Sequence, residues 1–264
     1  MKKKRYAKVS LLIKSGTENM KGKKGIYLLP NLLTTAALFC GFYAILSAMS
    51  GKLEIAAIAI FVAMILDGLD GRVARMINAQ SDFGAEFDSL ADMVSFGLAP
   101  AIIIYLWALS PMNDISLSWG RLGWMAAFVY VACAAIRLAR FNSQLNHSEK
   151  RYFIGLPSPS AAGVLAGMIW VFHGTDTHSI AIQIIIVSIT LGTGLLMVSN
   201  FKFRSFKDID IKNKVPYTAV LIMALIFAIA SIDPAKILFA TFMIYSLSGP
   251  TSWLIKKLTK KRLK

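Results

Sequence analysis

The sequence predicts an all-α, polytopic membrane bundle of about eight transmembrane helices with both termini in the cytoplasm. Three observations predict it. Of 264 residues, 56% are hydrophobic and only 16% charged, and mean hydropathy is +0.60; ordinary soluble domains carry about a quarter charged residues. The apolar residues gather in runs close to the roughly 20 residues that a helix needs to cross the hydrocarbon core. The 29 Lys and Arg outnumber the 14 Asp and Glu, for a net charge of +15, and they concentrate at the two ends and in a few loops.

Residues 1–30 form a basic juxtamembrane segment. Its apolar stretch, Val9 to Ile13, is too short for a signal-peptide core, so the segment is expected to lie on the membrane surface. Apolar runs then fall near 31–49, 53–77, 86–108, 122–142, 159–173, 179–198, 216–232 and 235–255, the fifth being the shortest. Asn31, placed before the first run, is expected to cap its helix. Pro157 and Pro159 flank the start of the fifth and are expected to fix an extended entry. Residues 31–255 make the transmembrane domain, and 256–264 a basic cytoplasmic tail. No strand-period alternation with turn punctuation occurs, which argues against a barrel. Cys40 and Cys133 lie inside apolar runs without metal-ligand spacing and read as small buried hydrophobes.

Orientation follows from the loops. With the N-terminus inside, residues 1–30, 72–85, 137–158, 199–215 and 256–264 share one side and hold 26 basic residues. The other side holds Lys52, Arg121 and Lys236. Because the basic residues flank apolar spans and form no stripe on a polar domain, the expected partner of the charge is anionic membrane lipid, not nucleic acid.

Within this frame, Asp67, Asp70, Asp88 and Asp92 stand in apolar sequence at the cytoplasmic ends of the second and third helices. Ionised groups at bilayer depth are costly and line a cavity or pathway, and four of one sign need cations. Asp67 and Asp70 are i, i+3; Asp88 and Asp92 are i, i+4; a tight hairpin turns both pairs toward each other. Hard oxygen ligands in this number suit Mg2+, Mn2+ or Ca2+ and not Zn2+, and could hold two ions. Gly71, Ala74 and Gly84 leave a flat patch beside them, open either to a ligand or to close helix packing. Arg75 offers a counter-ion or a phosphate ligand. Asp82 and Glu86 fall off this stripe and read as solvated loop residues.

The pattern Asp-x2-Asp-Gly-x2-Ala-Arg-x8-Gly-x3-Asp-x3-Asp resembles, without a departure, the signature of the CDP-alcohol phosphotransferases. The resemblance implies transfer of a phosphatidyl-type group from a CDP-linked lipid such as CDP-diacylglycerol to an alcohol, with release of CMP. It implies Asp67, Asp70, Asp88 and Asp92 as ligands for Mg2+ or Mn2+, two ions together, with Asp92 also activating the acceptor hydroxyl. It implies a cytidine nucleotide held by Asp67, Gly71, Ala74, Arg75 and Gly84, and a homodimer. The chemistry agrees: an anionic pyrophosphate approaches carboxylates only across bound cations.

Four further segments resemble the phosphatidylserine synthase branch of that family, whose acceptor is L-serine. They are Pro30-Asn31-Leu-Leu-Thr34-Thr before the first helix, Arg137-Leu-Ala-Arg140-Phe-Asn142, Gly155-Leu-Pro157-Ser158-Pro159-Ser160, and Ser199-Asn200-Phe-Lys202. Arg137 or Arg140 could pair with the serine carboxylate or simply anchor the helix at the membrane face. Asn142, Ser158, Ser160 and Asn200 could add hydrogen bonds. A glycerol-phosphate or inositol-phosphate acceptor would keep the same chemistry and use more of the nearby basic residues. A divalent-cation transporter is the reading from another class. It fits less well, because the carboxylates cluster at one face and the two halves show no repeat. The three histidines, His147, His173 and His178, stand apart from the carboxylates, and no Gly-rich phosphate loop or nucleophilic triad occurs.

Overall fold

A computed structural model describes residues 28–77, 79, 81–144, 152–204 and 232–262. Seven helical segments account for most of them: α1 (Leu28–Met49), α2 (Leu53–Met76), α3 (Asp82–Asp114), α4 (Leu117–Gln144), α5 (Ser158–Phe172), α6 (Ile180–Val198) and α7 (Pro234–Arg262). Five of these, α1, α3, α4, α6 and α7, are long and apolar enough to cross a membrane. With 24 residues α2 has the length of a span but carries Asp67, Asp70, Arg72 and Arg75 toward its end, and α5 is a shorter apolar helix of 15 residues. The protein is an all-α membrane helical protein. The apolar run at 216–232, apart from its last residue, lies outside the described residues, as do residues 1–27, His147, Lys150 and Arg151.

Small residues let the helices approach closely, as they do where lipid removes any hydrophobic drive between them. A Cβ on Gly41 of α1 would sit 2.5 Å from Ser95 Oγ of α3, and that hydroxyl donates to the Ala37 carbonyl at 3.1 Å. Gly163 and Gly167 of α5 give way in the same manner to Phe242 and Phe239 of α7. The buried core runs through Ala44, Ile60, Phe96, Ile103, Tyr130, Leu165 and Ile169.

The helix α3 is not uniform. It is regular over Asp82–Asp92, widens into π-helical turns at Met93–Leu98, regains α geometry at Ala99–Ile104, widens again at Tyr105–Leu109 and tightens at Ser110–Asp114. Pro100 has no N–H to offer the Phe96 carbonyl four residues back. The Tyr130 hydroxyl, from α4, donates to that carbonyl instead at 3.0 Å.

Two three-residue strands were not expected from the sequence. β1 (Tyr152–Ile154) and β2 (Lys202–Arg204) pair antiparallel, with Phe153 opposite Phe203. Three residues are too few to show a period of two. The ribbon is held by its flanks: Gly155, at φ +82°, donates its N–H to the Phe201 carbonyl at 2.9 Å, and Leu156 donates to Leu196 at 2.9 Å. A Cβ on Gly155 would run into the Met197 carbonyl.

Two local expectations are corrected and a third holds. Asn31 lies within the first turn of α1 and does not precede it, so the Pro30–Thr35 segment is helical. Asp82 and Glu86 are exposed on the first turns of α3 and do not lie in a loop. Pro157 behaves as expected, extended at ψ 137° immediately before α5.

Candidate active site

One end of the bundle collects the end of α2, the starts of α1, α3 and α5, and the ends of α4 and α6. The start of α3 is fixed by Ser81, whose hydroxyl accepts the Gly84 N–H at 3.0 Å and caps the helix. From that cap the helical repeat places Asp88 and Asp92 on the side facing α2. The carboxylates of Asp67, Asp70 and Asp88 come together so that one oxygen from each lies within 4.8 Å of the others. Asp92 stands one turn farther along, facing Asp67, Asp88 and the guanidinium of Arg137. Three of the four expected ligands therefore form one group, with the fourth beside it between like charges and a cation.

The geometry fits a hard divalent cation. Metal–oxygen bonds of about 2.0–2.6 Å hold ligand oxygens up to about 4–5 Å apart, which is the spacing found. Asp88 Oδ1 is buried without a hydrogen-bond partner, an acceptor left for a ligand other than the protein's own donors. Asp70 is buried, 4% exposed, and its Oδ2 accepts the Thr34 hydroxyl of α1 at 2.6 Å.

The small residues of the signature serve two purposes. A Cβ on Gly71 would meet nothing within 4 Å, so helix packing does not explain that glycine, and the exposed face beside Asp70 is open to a flat ligand. A Cβ on Gly84 would come 3.1 Å from Ser81 Oγ and 3.5 Å from Asn31 Oδ1, so that position is confined by its surroundings. Ala74 is half-buried on the same helix, and Arg75, exposed, donates its Nε–H to the Gly71 carbonyl at 2.9 Å.

The six residues considered for the acceptor separate into distinct settings. Arg137 donates to Ser158 Oγ at 2.5 Å and feels the charges of Asp92 and Asp67, with Tyr130 and Tyr245 also near. Arg140, one turn on, donates to the Val198 carbonyl at 3.3 Å and to Asn200 Oδ1 at 2.8 Å, clasping α4 to the end of α6. Asn142 exchanges hydrogen bonds with Ser89 at 3.0 and 3.2 Å, bracing α4 against α3. Ser160 is half-buried in the first turn of α5. Thr34, Ser89, Tyr130 and Tyr245 were given no role by the sequence; Thr34 alone lay in a segment singled out there.

Known proteins resemble this chain over most of its length. The sequence model of the CDP-alcohol phosphatidyltransferase family matches residues 27–248. A CDP-diacylglycerol–serine O-phosphatidyltransferase of Helicobacter pylori (strain ATCC 700392 / 26695) is 36% identical over 234 residues, 87% of this chain and 92% of that one. Proteins of the same name from Bacillus subtilis (strain 168) and Methanocaldococcus jannaschii are 35% and 34% identical, over 68% and 72% of this chain and 91% and 80% of theirs.

Proposed function

The chain belongs to the CDP-alcohol phosphatidyltransferase family, and from that premise we propose that it transfers a phosphatidyl group from CDP-diacylglycerol to L-serine, giving phosphatidylserine and CMP. The acidic cluster of Asp67, Asp70 and Asp88 is the observation that carries the chemistry; the shared name of the relatives supports serine as acceptor.

In this reading Asp67, Asp70, Asp88 and Asp92 hold Mg2+ or Mn2+, two ions in all, which when bound neutralise the donor pyrophosphate and the departing CMP. The open face at Gly71, with Ala74, Arg75 and Gly84, receives the cytidine nucleotide. The serine hydroxyl attacks the phosphorus of the phosphatidyl group, the P–O bond to CMP breaks, and Asp92 accepts the hydroxyl proton. Asp92 suits that part because it is the carboxylate outside the three-membered cluster and beside Arg137. Arg137 and Ser158 orient the serine carboxylate, while Arg140, Asn142 and Asn200, each engaged in clasping helices, act on the acceptor side by holding its walls, and Ser160 lines it. The site faces the cytoplasm in this reading, supported by the 26 basic residues on that side. Eight spans follow if residues 216–232 supply a crossing, and the protein acts as a homodimer, measurable by its mass in detergent.

CMP release from CDP-diacylglycerol by the purified protein tests the reading, with Mg2+ or Mn2+ and with serine, glycerol 3-phosphate, inositol 1-phosphate or no acceptor. Release that depends on serine alone is expected. Release with another alcohol would keep the cluster's role and remove serine, and none with any acceptor would remove the reaction.

A further inference from the structure

The last turns of α7 leave the bundle. Every residue from Thr251 to Thr259 is exposed, and a helix of 29 residues is about 43 Å long where the hydrocarbon core is about 30 Å thick. Asp233 and Lys236 pair at 2.7 Å at its start, marking the far face, and about 20 residues beyond the chain reaches Lys256. From there it carries Lys256, Lys257, Lys260, Lys261 and Arg262, with no acidic residue between Pro234 and the C-terminus. At about 100° per residue, Leu254, Ile255 and Leu258 form one stripe, positions 256 and 260 fall on the opposite side, and positions 257 and 261 flank the stripe at its edge. The three apolar side chains are 50%, 63% and 56% exposed. A bare apolar stripe backed by a basic face is the pattern of a helix that settles at a lipid–water boundary. The uniform sign of the charge specifies the occupant as anionic phospholipid headgroups.

Trp253 ties this extension to the frame of the site. Its ring meets Phe201 edge-on at 5.8 Å, and Lys257 Nζ lies 4.7 Å over its centroid. The Phe201 carbonyl receives the Gly155 N–H, and the neighbouring Asn200 holds Arg140. We propose that the Trp253–Arg262 extension senses the charge of the leaflet. Anionic headgroups bind its basic face and draw Leu254, Ile255 and Leu258 into the boundary, and the Trp253–Phe201 contact sets the 199–204 strap beside the acceptor side of the site. The proposal rests on the enzymatic reading above and on its cytoplasmic orientation.

Full-length protein reconstituted into vesicles of phosphatidylcholine, with or without phosphatidylglycerol, tests it by two readouts at a constant amount of CDP-diacylglycerol. A nitroxide at L258C, in a C40A/C133A background, is expected to lie deeper when phosphatidylglycerol is present. The K256Q/K257Q/K260Q/K261Q variant is expected to lose that difference. Serine-dependent CMP release is expected to rise at least about fivefold with phosphatidylglycerol, roughly one lysine's share of surface attraction, and to stay at its phosphatidylcholine level in the variant. An unchanged depth in wild-type protein, or a variant that still responds, overturns the proposal while serine-dependent turnover leaves the enzymatic reading intact. A depth change with turnover indifferent to phosphatidylglycerol overturns the link to the site. A depth change with no turnover in any vesicle keeps the lipid contact and overturns the enzyme.

Discussion

Thr34 and Asp70 are 36 positions apart in the chain, and their oxygens are 2.6 Å apart. That bond fixes one carboxylate of the acidic group from outside it, the arrangement by which a supporting residue orients a metal ligand. T34V is expected to lower turnover about ten- to hundredfold, with partial recovery as Mn2+ is raised and near-complete recovery in T34S; a metal titration of CMP release checks this. Asp88 gives a prediction of opposite signs. Its Oδ1 is buried without a partner beside other carboxylates, so D88N should abolish CMP release yet raise the melting temperature in chelator by about 2–4 °C, as about 1 kcal/mol does for a chain of this size. Unfolding monitored in detergent with EDTA decides it. The sequence made the aspartates legible because their i, i+3 and i, i+4 spacings are local facts. It could not reveal that Thr34 serves Asp70 or that Ser89 serves Asn142, because those pairings depend on how separate helices dock.

At the scale of elements, the end of α4 distributes its two arginines between different tasks. Arg137 turns inward to Ser158 and Asp92, whereas Arg140 clasps Val198 at the end of α6 and Asn200 just beyond it. R137Q is therefore expected to reduce kcat/KM for serine at least about thirtyfold, the lower range for truncating one partner of a buried charged pair. R140Q should instead lose about 1–3 kcal/mol of stability, with a smaller effect on the KM for serine. Steady-state kinetics and thermal unfolding of the two variants separate these outcomes. The spacing of the arginines was visible in the sequence, but i, i+3 residues share a face only broadly, and each meets a different neighbour. The widened turns of α3 follow the same lesson. Pro100 could be read in the chain, yet only the packed structure shows Tyr130 answering the carbonyl that Pro100 leaves free. Where polar residues interrupt apolar composition, the runs understated the helices: 86–108 becomes Asp82–Asp114, and 122–142 becomes Leu117–Gln144.

Across the whole molecule, chain direction alternates from α1 to α6, so one end of the bundle gathers the carboxylates, Arg137 and the β1–β2 ribbon, while the 173–179 turn lies at the other. The bulk pattern of this arrangement was legible, since runs at 53–77, 159–173 and 179–198 nearly coincide with α2, α5 and α6. Its functional weight lies in which solution each end meets. Serine and CMP are water-soluble and belong to the cytoplasm in the proposed reaction, and under the same proposal the excess of Lys and Arg orients their end of the bundle inward. In a C40A/C133A background, S143C sits on an exposed site at the carboxylate end and T175C on an exposed site at the far end. A membrane-impermeant maleimide applied to intact cells is expected to label T175C and spare S143C, and to label both after permeabilisation. The reverse pattern would put the carboxylates outside, cut off from cytoplasmic serine, and the proposed reaction would fail with the orientation.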